Sequence, residues 1–160
     1  MTSLALQPDA QKAATQEIVV DEVFPHTPAV VWKALTDGAL IGRWLMPPTD
    51  FAAVEGHRFT FKTTPAGEWD GTIHCQVLEV VETQRFAYAW TGGHESNVGY
   101  GSRLETVVTW TLSPSEGGTR VRLVHSGFVL PRNDSAYRNM SDGWTKVVQK
   151  LDTVLGEDGQ

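Results

Sequence analysis

Pro28-Ala29-Val30-Val31-Trp32-Lys33-Ala34-Leu35-Thr36-Asp37, running on to Gly42-Arg43-Trp44-Leu45-Met46-Pro47, decides the fold. Thr27 stands where a helix N-cap belongs, and Pro28 takes the first helical position, where its missing N–H costs nothing. Val31, Ala34 and Leu35 recur at i, i+3 and i+4 on one face. Asp37 recaps a second short helix in which Leu40 and Trp44, then Ile41 and Leu45, repeat at i+4. Pro47-Pro48 stops it. A short helical pair that carries two indoles makes sense only if a large curved surface lies opposite. The rest of the chain reads as that surface, a sheet with a cavity.

Upstream, residues 17–24 (Glu-Ile-Val-Val-Asp-Glu-Val-Phe) are β-branched and strand-like, and Pro25 ends them. Residues 1–15 are polar and rich in Ala and Gln, which predicts a loose tail before a single domain over 16–156. Downstream, six strand candidates follow at about 50–54, 58–63, 70–81, 85–90, 104–112 and 119–126. Turn chemistry joins them, as in Glu55-Gly56, Pro65-Ala66-Gly67 and Pro114-Ser115-Glu116-Gly117-Gly118. Links this short favour antiparallel neighbours. The exception is 91–103, whose four glycines predict a mobile loop that serves as a lid.

The last element is a long helix capped by Asn133 or Asp134. Tyr137, Met140, Trp144, Val147, Val148, Leu151, Val154 and Leu155 form its apolar stripe, and Gly156 sits at the C′ position. From 134 to 155 it would run about 33 Å, long enough to cross a sheet. Strand alternation assigns Phe59 and Phe61, then Ile73, Cys75 and Val77, then Phe86, Tyr88 and Trp90, to one face. Val108, Trp110 and Leu112, with Val121, Leu123 and His125, complete it. One helix cannot fill the volume under about seven curved strands. The expected result is a cavity lined by Trp44, Met46, Phe59, Phe61, Trp69, Tyr88, Trp90, His125, Met140 and Trp144.

The bulk numbers exclude several classes. A chain of 160 residues is one domain, large enough to bury a core without a metal or disulfide staple. Its net charge of −6, with no basic run, argues against a nucleic-acid partner. Cys75 is the single cysteine, so no intramolecular disulfide forms. With an N-terminus that lacks a basic start and a long apolar run, this points to the cytoplasm. No stretch approaches the roughly 20 apolar residues of a membrane span.

The chemistry is sparse. No two of His26, His57, His74, His94 and His125 stand at i, i+4, and no Cys-x-x-Cys occurs, so no metal or cofactor is expected. His125 is the most informative titratable residue, pointing inward beside Leu123. It could orient a ligand or serve as a general base. The plainer reading, which we prefer because no carboxylate partner is placed, is an inward histidine satisfied by a backbone carbonyl or a Tyr. Cys75 reads as a small hydrophobe. Trp32 reads as packing, and Arg58, Arg103, Arg120 and Arg122 read as surface residues.

Taken together, Pro28-to-Thr36, the Gly42-Arg43-Trp44 turn, Gly71 before a long strand, Phe86-Ala87-Tyr88-Ala89-Trp90, Gly118-to-Phe128 and Gly143-Trp144 carry a resemblance. Over about residues 17–155 the chain resembles the SRPBCC, or START-like, superfamily. It is most similar to the branch of homologues of the activator of heat-shock protein 90 ATPase. The resemblance implies an α+β helix-grip fold, with a curved antiparallel sheet of about seven strands wrapped around the long C-terminal helix. The aromatic face and the glycine-rich loop point to binding of a small hydrophobic or aromatic ligand in the cavity, and the superfamily's lipid carriers extend this expectation to lipids. One alternative is a cyclase- or hydratase-type enzyme using His125, Tyr88 and Glu105. Another is a chaperone-binding module with a part in stress response. The eukaryotic activators are matched only in their C-terminal domain, and their chaperone-contacting N-terminal domain has no counterpart here. A chaperone partner is therefore kept as an alternative. Monomer and homodimer both stay open.

Overall fold

A computed structural model describes residues 15–158, so the predicted tail over 1–15 lies outside the described residues except for Thr15. The order of elements is β1 (Thr15–Phe24), α1 (Pro28–Thr36), α2 (Gly38–Trp44), β2 (Arg58–Lys62), β3 (Thr72–Val81), β4 (Arg85–Gly92), β5 (Leu104–Ser115), β6 (Gly118–Val129) and α3 (Asp134–Asp158). The strands form one antiparallel sheet in the order β1-β6-β5-β4-β3-β2. The two short helices follow the first strand, and α3 packs on the same face of the sheet. This is the α+β helix-grip plan. No described helix is long and apolar enough to cross a membrane.

The opening stretch folds by the chemistry its residues predict. Thr27 Oγ1 accepts from the Val30 N–H, and Pro28 begins α1. Asp37 leaves the helical region and caps α2, its Oδ1 accepting from the N–H groups of Ala39 at 3.0 Å and Leu40 at 3.3 Å. The Trp44 indole N–H donates to the Ala34 carbonyl at 3.0 Å, which bolts α2 to α1. Its ring meets Trp110 of β5 edge-on at 5.5 Å, and Trp110 meets Trp144 of α3 at 5.9 Å. Helix pair, sheet and C-terminal helix thus join through three indoles.

Three expectations are corrected. The sheet has six strands rather than seven, because 50–54 is not a strand. Thr49 makes one bridge to Thr60, then Asp50 adopts a left-handed φ of 64° and breaks the run. Phe51 turns inward as a plug, edge-on to Phe59 at 4.9 Å and to Phe86 at 6.1 Å. The side chain of Asn133 does not cap α3. It accepts from the Val129 N–H and donates to Ser102 Oγ and the Arg103 carbonyl. Gly156 does not end the helix, which continues to Asp158. Arg120 and Arg122 are exposed as expected but paired, both reaching Asp21 across the outer face.

Alternation sorts the side chains as the strand pattern predicts. In β3, Ile73, Cys75 and Val77 are buried while His74 and Leu78 are exposed. In β6 the buried series runs Thr119, Val121, Leu123 and His125, then passes over a bulge to Phe128. Gly127 makes that bulge with a φ of 103°, a conformation that a side chain would strain.

Candidate functional site

Two ends of the sheet face are filled differently. Toward one end, α1, α2 and the Phe51 plug cover Phe59, Phe86 and Tyr88, and their rings interlock at 4.9–5.6 Å. Toward the other, the first half of α3 stands away from β3 and β4. An apolar cavity of about 230 Å³ opens there. Ile73, Trp90 and Leu104 form its sheet wall, and Met140, Trp144 and Val147 its helix wall. Met46 and Trp69 close its sides. Tyr100 and Asn139, both exposed, stand at the rim. Among the described residues, no Asp, Glu, His, Cys, Lys or Arg lines it.

Met46, Trp69, Trp90, Met140 and Trp144 of the predicted lining meet in this cavity. Trp44, Phe59, Phe61, Tyr88 and His125 do not line it. The alternation that selects a face says nothing about position along it, and these five are buried without bordering the cavity. Phe61 backs the cavity at one remove, packed against Trp90 at 5.6 Å. Gly143, Leu104, Ile73 and Tyr100 join the lining although the predicted set omits them. Gly143 leaves a signal there, a glycine inside the apolar stripe between Met140 and Val147. A Cβ placed on it would meet nothing within 4 Å, so the missing side chain leaves cavity space.

His125 is fully buried behind this wall. Trp144 Nε1–H, which can only donate, points at His125 Nδ1 at 2.9 Å. The imidazole proton therefore sits on Nε2, which donates to Thr106 Oγ1 at 2.7 Å. Thr106 in turn donates to the Trp90 carbonyl at 2.8 Å. Burial pushes the His125 pKa down to about 3, so the ring is neutral. The relay runs from α3 through β6 and β5 to β4. It ties down two of the three tryptophans that line the cavity, Trp144 by its indole and Trp90 by its backbone carbonyl. This is a satisfied inward histidine, with Thr106 and Trp144 as partners in place of the expected carbonyl or Tyr.

Tyr88, Glu105 and Cys75 also lie away from the cavity. Tyr88 is buried, its hydroxyl beside the Trp110 indole N–H at 3.5 Å, and burial raises its pKa. Glu105 faces solvent and pairs with Arg103 at 2.9 Å. Cys75 is buried, and its thiol pKa is raised by desolvation. Among the described residues no three His, Cys, Asp or Glu gather to hold a metal ion.

The glycine-rich loop is tied to the rest of the fold through Asn97, Tyr100 and Ser102. Thr91 and Gly92 belong to β4, so the loop proper is 93–103. Tyr100 Oη donates to the Thr64 carbonyl at 2.7 Å, and Asn97 Nδ2 to the Ala66 carbonyl at 2.7 Å. Ser102 Oγ donates to the Arg132 carbonyl at 3.1 Å. Gly101 has a φ of 87°, and a Cβ there would press on Asn97 at 2.6 Å. The strap 93–103 therefore needs glycine at position 101.

Residues 25–156 match the family described as "Activator of Hsp90 ATPase homolog 1-like protein". Protein MLL2253 from Mesorhizobium loti is similar at 34% identity over 89% of this chain and 98% of its own, with a TM-score of 0.77. Protein BH1534 from Bacillus halodurans shares the fold at 22% identity, covering 88% of this chain and 96% of its own, with a TM-score of 0.69. CalU16 from Micromonospora echinospora does so at 20% identity, covering 88% of this chain and 76% of its own, with a TM-score of 0.66. No curated protein matches the chain.

Proposed function

The chain belongs to the family of proteins like homolog 1 of the activator of Hsp90 ATPase, and from that premise we propose that it binds a small, neutral, apolar or aromatic ligand in the cavity under α3. The observation that carries this reading is the lining: aromatic and aliphatic walls without a carboxylate, imidazole, thiol, ammonium or guanidinium group. Apolar concavities of this kind gain affinity from burial and shape. General acid–base chemistry needs a titratable side chain within hydrogen-bond reach of the reacting group. His125, Tyr88 and Glu105 do not border the space, which favours binding over the cyclase reading.

The volume of about 230 Å³ lies below the roughly 300–1,000 Å³ of drug-sized sites. A compact body of one or two rings fits it better than a long acyl chain. The strap 93–103 is the gate in this reading, because Tyr100 stands at the rim and hangs on one side-chain bond to Thr64. Thermal-shift and native mass-spectrometric screening with neutral bicyclic compounds tests the proposal. One-to-one complexes and a raised Tm are expected. Absence of any complex with such compounds at millimolar concentration would refute it.

A further inference from the structure

We infer, resting on the ligand-binding reading above, that the cavity selects a neutral ligand bearing a single hydrogen-bond acceptor, and that the indole Nε1–H of Trp90 is the donor that receives it. Trp90 is 4% exposed and forms part of the sheet wall. An indole has one polar atom, and it can only donate. The two other tryptophans of the wall have committed theirs. Trp69 donates to the Thr72 carbonyl at 2.9 Å and Trp144 to His125 at 2.9 Å.

Trp90 Nε1–H donates to no protein acceptor among the described residues. Yet among those residues no fully covered side-chain nitrogen or oxygen is left without a partner. The Trp90 N–H is therefore not sealed against protein. It borders open space, and the space that Trp90 borders is the cavity. Nor is the ring free to swing toward another acceptor. Phe61, His125 and Trp144 pack on it at 5.6, 5.3 and 5.9 Å, and the Thr106 hydroxyl holds its carbonyl.

The remaining polar groups do not compete for this role. The hydroxyl protons of Ser102 and Tyr100 are committed to the Arg132 and Thr64 carbonyls. Thr63 and Asn139 occupy half-exposed and exposed positions, where water serves them. A ligand that fills the cavity strips this donor of water, which is costly if the ligand brings no acceptor and specific if it does. A charged ligand group would lose its hydration and find no opposite charge in the lining. The chemistry that fits is a carbonyl or ether oxygen on an apolar ring system.

The test uses 1-tetralone and tetralin, which share a skeleton and differ by one carbonyl oxygen. Both are titrated into the ¹⁵N-labelled protein and its Trp90→Phe variant. In the wild type, 1-tetralone is expected to move the Trp90 indole proton downfield, while tetralin leaves it without a hydrogen-bond shift. Trp90→Phe is expected to weaken 1-tetralone about fivefold more than tetralin, the worth of one net hydrogen bond. The indole proton reads out in the unsubstituted protein, so the result stands even if the variant folds poorly. Binding of both compounds without the downfield shift would overturn the role of Trp90 and leave the binding reading intact. Binding of neither would overturn both.

Discussion

The indole N–H of Trp144 donates to His125 Nδ1 across 2.9 Å, and this bond fixes the protonation of a histidine with no access to water. Protonation would place an N–H on Nδ1 facing the Trp144 N–H, donor against donor. The folded pKa is depressed to about 3, against an ordinary value of 6.5. The unfolded chain therefore takes up a proton that the folded chain refuses. The stability held by neutral His125 is complete above pH 6.5 and is lost as the pH falls toward 3. The slope is at most about 1.4 kcal/mol per pH unit. His125→Asn keeps an acceptor for Trp144 and cannot titrate. Denaturant melts across this range should show a shallower acid loss for the variant. Parallel curves would refute the assignment.

Gly143 is a helix-interior glycine whose missing side chain leaves room in the cavity. Gly143→Ala should stabilise the fold by about 0.5–1 kcal/mol, because the helix no longer carries the conformational freedom of glycine. Gly143→Leu should instead fill the cavity and weaken binding of a two-ring compound at least tenfold without lowering the Tm. Calorimetric titration and thermal melts of the three proteins separate these effects.

Trp44 should act on stability and leave the cavity unchanged. Its N–H serves the Ala34 carbonyl, and its ring is locked against Trp110. Trp44→Phe removes that donor and part of the ring, at a cost of about 2–4 kcal/mol. The binding constant of the folded variant should match the parent. A selective loss of affinity at unchanged stability would place Trp44 in the site after all.

The strap gives a kinetic prediction. Tyr100→Phe deletes the bond to the Thr64 carbonyl and keeps the ring beside Trp69, 6.0 Å away. Ligand association and dissociation should both accelerate severalfold while the equilibrium constant stays close to the parent's, since gate opening appears in both rates. Stopped-flow fluorescence checks this. Rates equal to those of the parent would show that the strap does not gate the cavity.

Alternation and helix periodicity made the fold and the inward face legible. The Thr27–Pro28 start, the Asp37 recap and the rows through Phe59, Tyr88, Trp110 and Leu123 all follow from local chemistry. What they could not reveal is position along the face. Phe59, Phe61 and Tyr88 share parity with Trp90 but are buried without bordering the cavity. Phe51, whose β-like surroundings suggested a strand, is diverted to pack on Phe59 by the left-handed turn at Asp50. The partners of His125 and the bonds of Asn97 and Tyr100 join residues 19–36 positions apart. Contacts so distant leave no periodic trace.

Whether a ligand enters the space between α3 and the sheet is read without intermediary by calorimetric titration of 1-tetralone into the parent and the Gly143→Leu variant. Saturable one-to-one binding by the parent is expected, with at least tenfold weaker binding by a variant that melts no lower. Equal binding by both proteins would place the ligand elsewhere and rule the cavity out as its site.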